Sequence, residues 1–416
     1  MYLAKKGVWL FMEKKKEEVK KRNVAIEFWR FFAAIAIIGF HVGWIIARTC
    51  NGSNGFWMTP TNTWFFGSSE ILLLFTITAG YFMVAHFKKL AKDSKYNERS
   101  AMSRAFEYTW TRIKALLPVL ILGYILGVII CTRFYYPDYG FQEVCVMLVN
   151  SIWEFLGFHA AGLRSLGGEF FNLNGPLWFI SAIIIVGYFI YWGLCKNEDV
   201  VSGFVAPFLT IFLAGWWSFT DTRAAQTAWS TFGAQTASFN GMGGSASAAT
   251  ATIGFNNGLV FVMIGMLIGV ILYYIIEKLK EGKEKSCTGL TILNLVISAL
   301  LVWYIIYQPT WFKLERWPVA FLCIMVVGLS LLNRDGLTKL LNNDATNELF
   351  GYMGGLSLYI YMLHYPVAIL VLRVMGPNTE SNPYTFWQVY IPCVIITILL
   401  SIIVKILMEK TILKKN

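Results

Sequence analysis

Residues 27–41 read Glu-Phe-Trp-Arg-Phe-Phe-Ala-Ala-Ile-Ala-Ile-Ile-Gly-Phe-His, within an apolar run from about residue 24 to 46. A run of that length crosses the roughly 30 Å hydrocarbon core of a bilayer as a helix. It also carries an acid, a guanidinium and an imidazole, each costing several kcal/mol in hydrocarbon unless it faces a protein interior. The eleven-residue step from Arg30 to His41 leaves their side chains about 20° apart in azimuth and about 16 Å apart along the axis. Glu27, one turn before Arg30, shares that face and can pair with it. Singly, Glu27 and Arg30 read as interfacial anchors and His41 as a polar group between packed helices. All three on one stripe point to a functional site.

The composition places that helix among many others. Of 416 residues, 56% are hydrophobic, 16% aromatic and 14% charged, with a mean hydropathy of +0.56. Soluble domains carry about 25% charged residues, so this is an all-α polytopic membrane protein. Apolar stretches of spanning length occur near 24–46, 68–87, 113–132, 176–195, 201–219, 255–277, 288–307, 317–333, 350–374 and 386–408, giving ten expected transmembrane helices. Segment 141–157 is interrupted by Glu143, Asn150 and Glu154 and reads as interfacial or re-entrant.

The net charge of +11 raises nucleic-acid binding, and its distribution argues against it. Of 35 Lys and Arg residues, 27 fall on one side when the loops are alternated, seven on the other, and Arg30 within the first span. Basic loops stay in the cytoplasm, so both termini are expected there. Residues 1–22 then form a basic cytoplasmic arm along anionic lipid, 23–410 a transmembrane domain, and 411–416 a cytoplasmic tail. The Ala/Ser/Thr/Gly-rich stretch 220–254 is an expected mobile outer loop. The inner loop 88–114 mixes eight basic residues with Phe106, Tyr108 and Trp110, which suits either membrane anchoring or a phosphate-bearing ligand. Seven cysteines stand singly, without metal-ligand spacing or any indicated disulfide, so no metal and no bound cofactor are expected.

With this topology the polar groups inside the spans fall into two layers. Arg30, Arg112 and Lys114 lie toward the cytoplasm. His41, His364, Glu70, Trp178 and Ser181 lie in the outer half. A neutral imidazole in a desolvated cavity can act as general base toward a hydroxyl, and a nearby carboxylate can orient it. His86 and His159 read as solvated.

Three segments resemble one family, the membrane-bound acyltransferase 3 family of sugar and polysaccharide O-acyltransferases. Glu27, Arg30 and His41 resemble its signature of an acid three residues before an arginine, followed by histidine. Asn174-Gly175-Pro176-Leu177-Trp178-Phe179-Ile180-Ser181-Ala182 resembles its Leu-Trp-Phe-Leu-Ser-Ala segment, and residues 355–366 resemble its late Ser-Tyr-x-Ile-Tyr-Leu-x-His helix. Two departures stand out. Glu70 precedes Gly80 by ten residues where the family's acid precedes its glycine by seven. The family's Arg-x-x-Arg reads here Arg112-Ile113-Lys114-Ala115.

The resemblance implies an O-acyltransferase of the inner (cytoplasmic) membrane with acetyl-CoA or another acyl-CoA as co-substrate. It implies donor binding by Arg112, Lys114 and Arg30, and catalysis by His41 with Glu27 and Arg30. His364, Tyr361, Trp178, Ser181 and Glu70 would face an acceptor hydroxyl on an envelope glycan, sugar or lipid-linked saccharide. Membrane lipids are the other expected partners, and nucleic acid is not one. The alternative is a transporter or flippase for a lipid-linked or acylated sugar, with the polar stripe lining a permeation path.

Overall fold

A chain in hydrocarbon must satisfy every backbone N–H and C=O within itself, so apolar runs become helices and polar punctuation ends them. The computed structural model describes residues 23–49, 62–65, 70–135, 137–156, 173–220, 257–282, 287–309, 316–376 and 385–412. The arm 1–22, His159, the loop 220–254 beyond its first residue and tail residues 413–416 lie outside them.

In chain order the elements are α1 (Val24–Thr49), β1 (Asn62–Trp64), α2 (Leu72–Leu90), α3 (Ser94–Glu98), α4 (Ala101–Ile130), α5 (Phe141–Asn150) and α6 (Ile152–Phe155). There follow α7 (Leu177–Lys196), α8 (Ala206–Thr220), α9 (Asn257–Lys280), α10 (Thr288–Ile306), β2 (Tyr307–Pro309), α11 (Arg316–Leu332), α12 (Gly336–Leu341), α13 (Asp344–Met375) and α14 (Phe386–Ile412). Eight helical stretches among the described residues are long and apolar enough to cross a bilayer. The other two expected spans, 68–87 and 317–333, coincide with α2 and the 17-residue α11. The protein is a polytopic all-α membrane protein whose β1 and β2 form one short antiparallel pair.

Side-chain contacts sort the helix ends. Lys88 at the end of α2 pairs with Glu198 just beyond α7, and Glu198 accepts from the Tyr274 hydroxyl near the end of α9 at 2.7 Å. Arg104 near the start of α4 donates to the Cys195 carbonyl at 2.7 Å. These loops, which carry the excess of Lys and Arg, meet at one basic end of the bundle. At the far end the β1–β2 pair ties the segment after α1 to the end of α10, and Trp64 packs edge-on against Trp387 of α14 with centroids 5.1 Å apart.

One boundary differs from expectation. The third span was expected from about residue 113, whereas α4 begins at Ala101, three turns earlier, capped by the Ser100 hydroxyl accepting from Ser103 N–H at 3.2 Å. The aromatic stems of the basic segment explain this extension. Tyr108 stacks flat on Tyr191 of α7, centroids 4.1 Å apart, which anchors the extra turns to the bundle. His86 is drawn into the same cluster, 5.5 Å from the Tyr108 ring, and is half-buried where solvent was expected.

α13 is the axis of the bundle: 78% of its most apolar window is buried, against 6% for the peripheral stretch 198–216. Lipid tails are as apolar as leucine, so close van der Waals contact rather than the hydrophobic effect joins such helices. Gly354 of α13 therefore sits directly on Glu27 of α1, and Gly269 of α9 sits on the Ile77 carbonyl and Gly80 of α2. Any side chain at these positions meets backbone. Gly269→Leu is expected to cost about 1–3 kcal/mol through overpacking. Thermal unfolding in detergent should show it, with Gly269→Ala intermediate.

Candidate functional site

α1 and α13 lie side by side and run in the same direction, with Glu27 against Gly354 near the basic end and His41 against His364 further along. His364 Nδ1 is 3.2 Å from the Ile360 carbonyl, one turn earlier on its own helix. His41 Nδ1 is 3.1 Å from the Ile37 carbonyl and 3.0 Å from His364 Nε2. A carbonyl oxygen only accepts, so each Nδ1 carries the proton of its ring. His364 Nε2 is then a lone pair, and His41 Nδ1–H is shared between it and Ile37. This tautomer assignment follows from the acceptors and leaves His41 Nε2 with a free lone pair, the form a general base needs. His364 orients His41 much as a buried carboxylate orients the imidazole of a triad.

The sequence around His364 is built to hold that geometry. Pro366 has no N–H, so the Met362 carbonyl lacks its helical partner. Asn174 fills the gap, its Nδ2 donating to Met362 O at 3.0 Å and to Gly123 O of α4 at 3.3 Å. One residue before Met362, the Tyr361 hydroxyl donates to Pro176 O at 2.9 Å. Residues 173–176 thus strap α13 to α4. The strap is held in turn by Glu154, whose carboxylate accepts from Leu173 N–H at 2.8 Å and Asn174 N–H at 2.6 Å. Glu154 is 2% exposed, and burial raises its pKa from 4.5 to about 7 despite the two N–H bonds. Sequence reasoning saw Glu154 only as an interruption of segment 141–157. Its spacing from Met147 and Asn150, both buried with it, was the available signal.

A cavity of about 280 Å³ opens between α1, α2, α4, α7, α9 and α13. Chain direction orders its wall. Arg30, Tyr108, Thr109, Arg112 and Phe82 stand toward the basic end, and Phe75, Phe179 and Tyr361 toward the far end. Arg30 pairs with Glu27 at 3.1 Å, and the Arg112 guanidinium lies over the Tyr108 ring, 5.3 Å from its centroid. The Thr109 hydroxyl is buried and has no hydrogen-bond partner among the described residues. At the far end the Tyr361 and His364 rings are 5.7 Å apart.

Arg30, Arg112 and Tyr361 line the cavity, whereas Glu27, His364 and His41 do not: Glu27 adjoins it through Arg30, and the two histidines lie behind Tyr361. Lys114 does not line it either: it is about 200° round α4 from Arg112, and its ammonium lies over the exposed Trp110 ring at 5.5 Å. Ala115, at the family's second arginine position, does line the cavity, so Arg30 supplies the second guanidinium from α1. Trp178 packs beside Phe179, centroids 5.6 Å apart. Ser181 is buried in α7, and Glu70 is buried in the turn before α2, close to Cys323 of α11. Neither lines the cavity. Thr109, Phe75 and Phe179, which line the cavity, and Glu154, which holds the strap, are residues that the sequence reading did not select.

This combination of a membrane bundle, an oriented imidazole and a cation-headed cavity is that of a membrane acyltransferase. The chain belongs to the family whose model, Acyl_transf_3, is described as an acyltransferase domain and matches residues 23–406. No curated protein and no solved structure matches it.

Glu154 makes the strap sensitive to pH. Between 4.5 and about 7 the folded protein holds a proton that the unfolded chain has released. Stability therefore falls as pH rises through that window and levels off above it. The drop is on the order of 3 kcal/mol. Thermal unfolding from about pH 5 to about pH 8 should show the decline, and Glu154→Gln should flatten it.

Proposed function

We propose that the chain moves an acetyl or other short acyl group from a cytoplasmic acyl-CoA to a hydroxyl of a cell-envelope sugar, glycan or lipid-linked saccharide, in the cytoplasmic membrane. The observation that carries this reading is the cavity, which runs from two guanidinium groups at the basic end to Tyr361, whose ring lies 5.7 Å from that of His364, the partner of His41. By the positive-inside rule the basic end faces the cytoplasm, where acyl-CoA resides. Planar guanidinium groups suit the donor's phosphates. The unpartnered Thr109 hydroxyl suits an amide of its arm, and the apolar wall above suits the rest. The arm then bridges the roughly 16 Å between the levels of Arg30 and His41.

In this reading His41 Nε2 takes the proton of the acceptor hydroxyl as its oxygen attacks the thioester carbonyl. The new C–O bond forms, the C–S bond breaks, and the departing sulfur takes the proton back from His41, giving ester and free CoA. While His41 is cationic, its Nδ1–H is held by the His364 lone pair. Glu27 fixes Arg30 at the donor level, and Trp178, Ser181 and Glu70 with Tyr361 belong to the acceptor side.

Purified protein in lipid vesicles, given radiolabelled acetyl-CoA and envelope glycan, should move label to the glycan. His41→Ala should abolish transfer, and His364→Ala should lower kcat by about 10²-fold. Arg112→Ala should raise the KM for acyl-CoA about tenfold, consistent with loss of a charge-assisted phosphate contact. Full activity without His41 sinks the mechanism. Acceptor movement across the vesicle without label transfer identifies a transporter instead.

A further inference from the structure

Three aromatic rings cluster in the cavity wall, and one of them, Tyr361, lies against His364. Phe179 lies 5.6 Å from Tyr361 and 6.3 Å from Phe75, and Phe75 lies 6.5 Å from Tyr361, centroid to centroid. They come from three helices, α7, α13 and α2, and all three line the end of the cavity remote from Arg30 and Arg112. Tyr361 is pinned by its bond to the Pro176 carbonyl and by contact with His364. Phe179 is 3% exposed and Phe75 half-buried, so the rings pack on one another and shape that end of the cavity.

We propose that Phe75 and Phe179, backed by the fixed Tyr361, are the acyl-size determinants of the enzyme, admitting an acetyl or propionyl group and excluding longer chains. This rests on the donor reading above. A donor arm anchored by phosphates at the arginines has a fixed origin, so its thioester carbon arrives at a fixed height. For that carbon to meet a hydroxyl activated by His41, the acyl tail must lie against these rings at the end of the cavity. That end of the wall contains no cation or carboxylate and discriminates by volume alone. A site of this kind rejects each surplus methylene by about tenfold or somewhat more.

The enzyme in vesicles is assayed with acetyl-, butyryl-, hexanoyl- and octanoyl-CoA and the glycan acceptor. Wild type is expected to use acetyl-CoA about a thousandfold better than hexanoyl-CoA in kcat/KM, about tenfold for each methylene beyond propionyl. Phe179→Ala and Phe75→Ala should each shift that ratio by tenfold or more toward the longer donors. Phe82→Ala changes an aromatic of the same cavity two turns away, at the basic end of α2, and should leave the ratio unchanged whatever it does to the absolute rate. Phe179→Leu and Phe75→Leu, which retain most of the volume and apolar surface, provide the same readout with smaller shifts if an alanine variant does not fold. A chain-length profile that is flat in wild type, or that no ring variant alters, overturns the proposal while leaving acyl transfer intact. Absence of transfer from every acyl-CoA in wild type defeats the donor reading itself.

Discussion

The hydrogen bond between His41 and His364 is the interaction on which the site depends. An imidazole within a membrane bundle cannot borrow a partner from water, so its polar atoms must be met by its own helix or by another span. Here each ring uses the carbonyl one turn back to fix its own tautomer and the other ring to fix the pair. That requires α1 and α13 to be parallel, in register and close. Gly354 against Glu27 provides the closeness at one end, and the strap at residues 173–176 fixes α13 at the other.

The strap shows how a broken helical bond becomes a structural resource. Pro366 sits in the most enclosed helix of the protein, where an unmet carbonyl costs the full desolvation penalty of the group, about 1–3 kcal/mol. Asn174 meets that carbonyl and a second one on α4, and Glu154 meets the backbone of Asn174 itself. A chain of four polar groups thus runs from an amphipathic segment outside the spans to the residue two before His364. Removing any member leaves a neighbour buried and unmatched.

The long apolar runs made the ten helices and their alternation legible, because length and hydropathy alone decide what can cross a bilayer. The Glu27–Arg30 pair and the common face of Arg30 and His41 followed from helical spacing. Residues whose role depends on another helix were not legible. Thr109 and Phe75 are unremarkable until α4 and α2 face the same cavity, and Glu154 acquires its meaning only from the backbone of Leu173 and Asn174. Lys114 illustrates the converse. Adjacency to Arg112 along the chain suggested a shared duty, and the helix turned the two in different directions. The early start of α4 was missed because its aromatic residues, read as loop anchors, find their partners on α7.

The two imidazoles are separated by 323 residues of chain, which has a consequence for biogenesis. At synthesis rates of about 5–20 residues per second, roughly half a minute passes between insertion of α1 and arrival of its partner. Throughout that interval His41 has no ring to accept from its Nδ1–H, and the cavity lacks the wall that Ser357, Leu358 and Tyr361 supply. The pairing of the two rings, and the cavity wall that α13 supplies, therefore form late in synthesis. The connectivity of the chain thus sets when the two rings meet: only after all but the last of the described spans have been made.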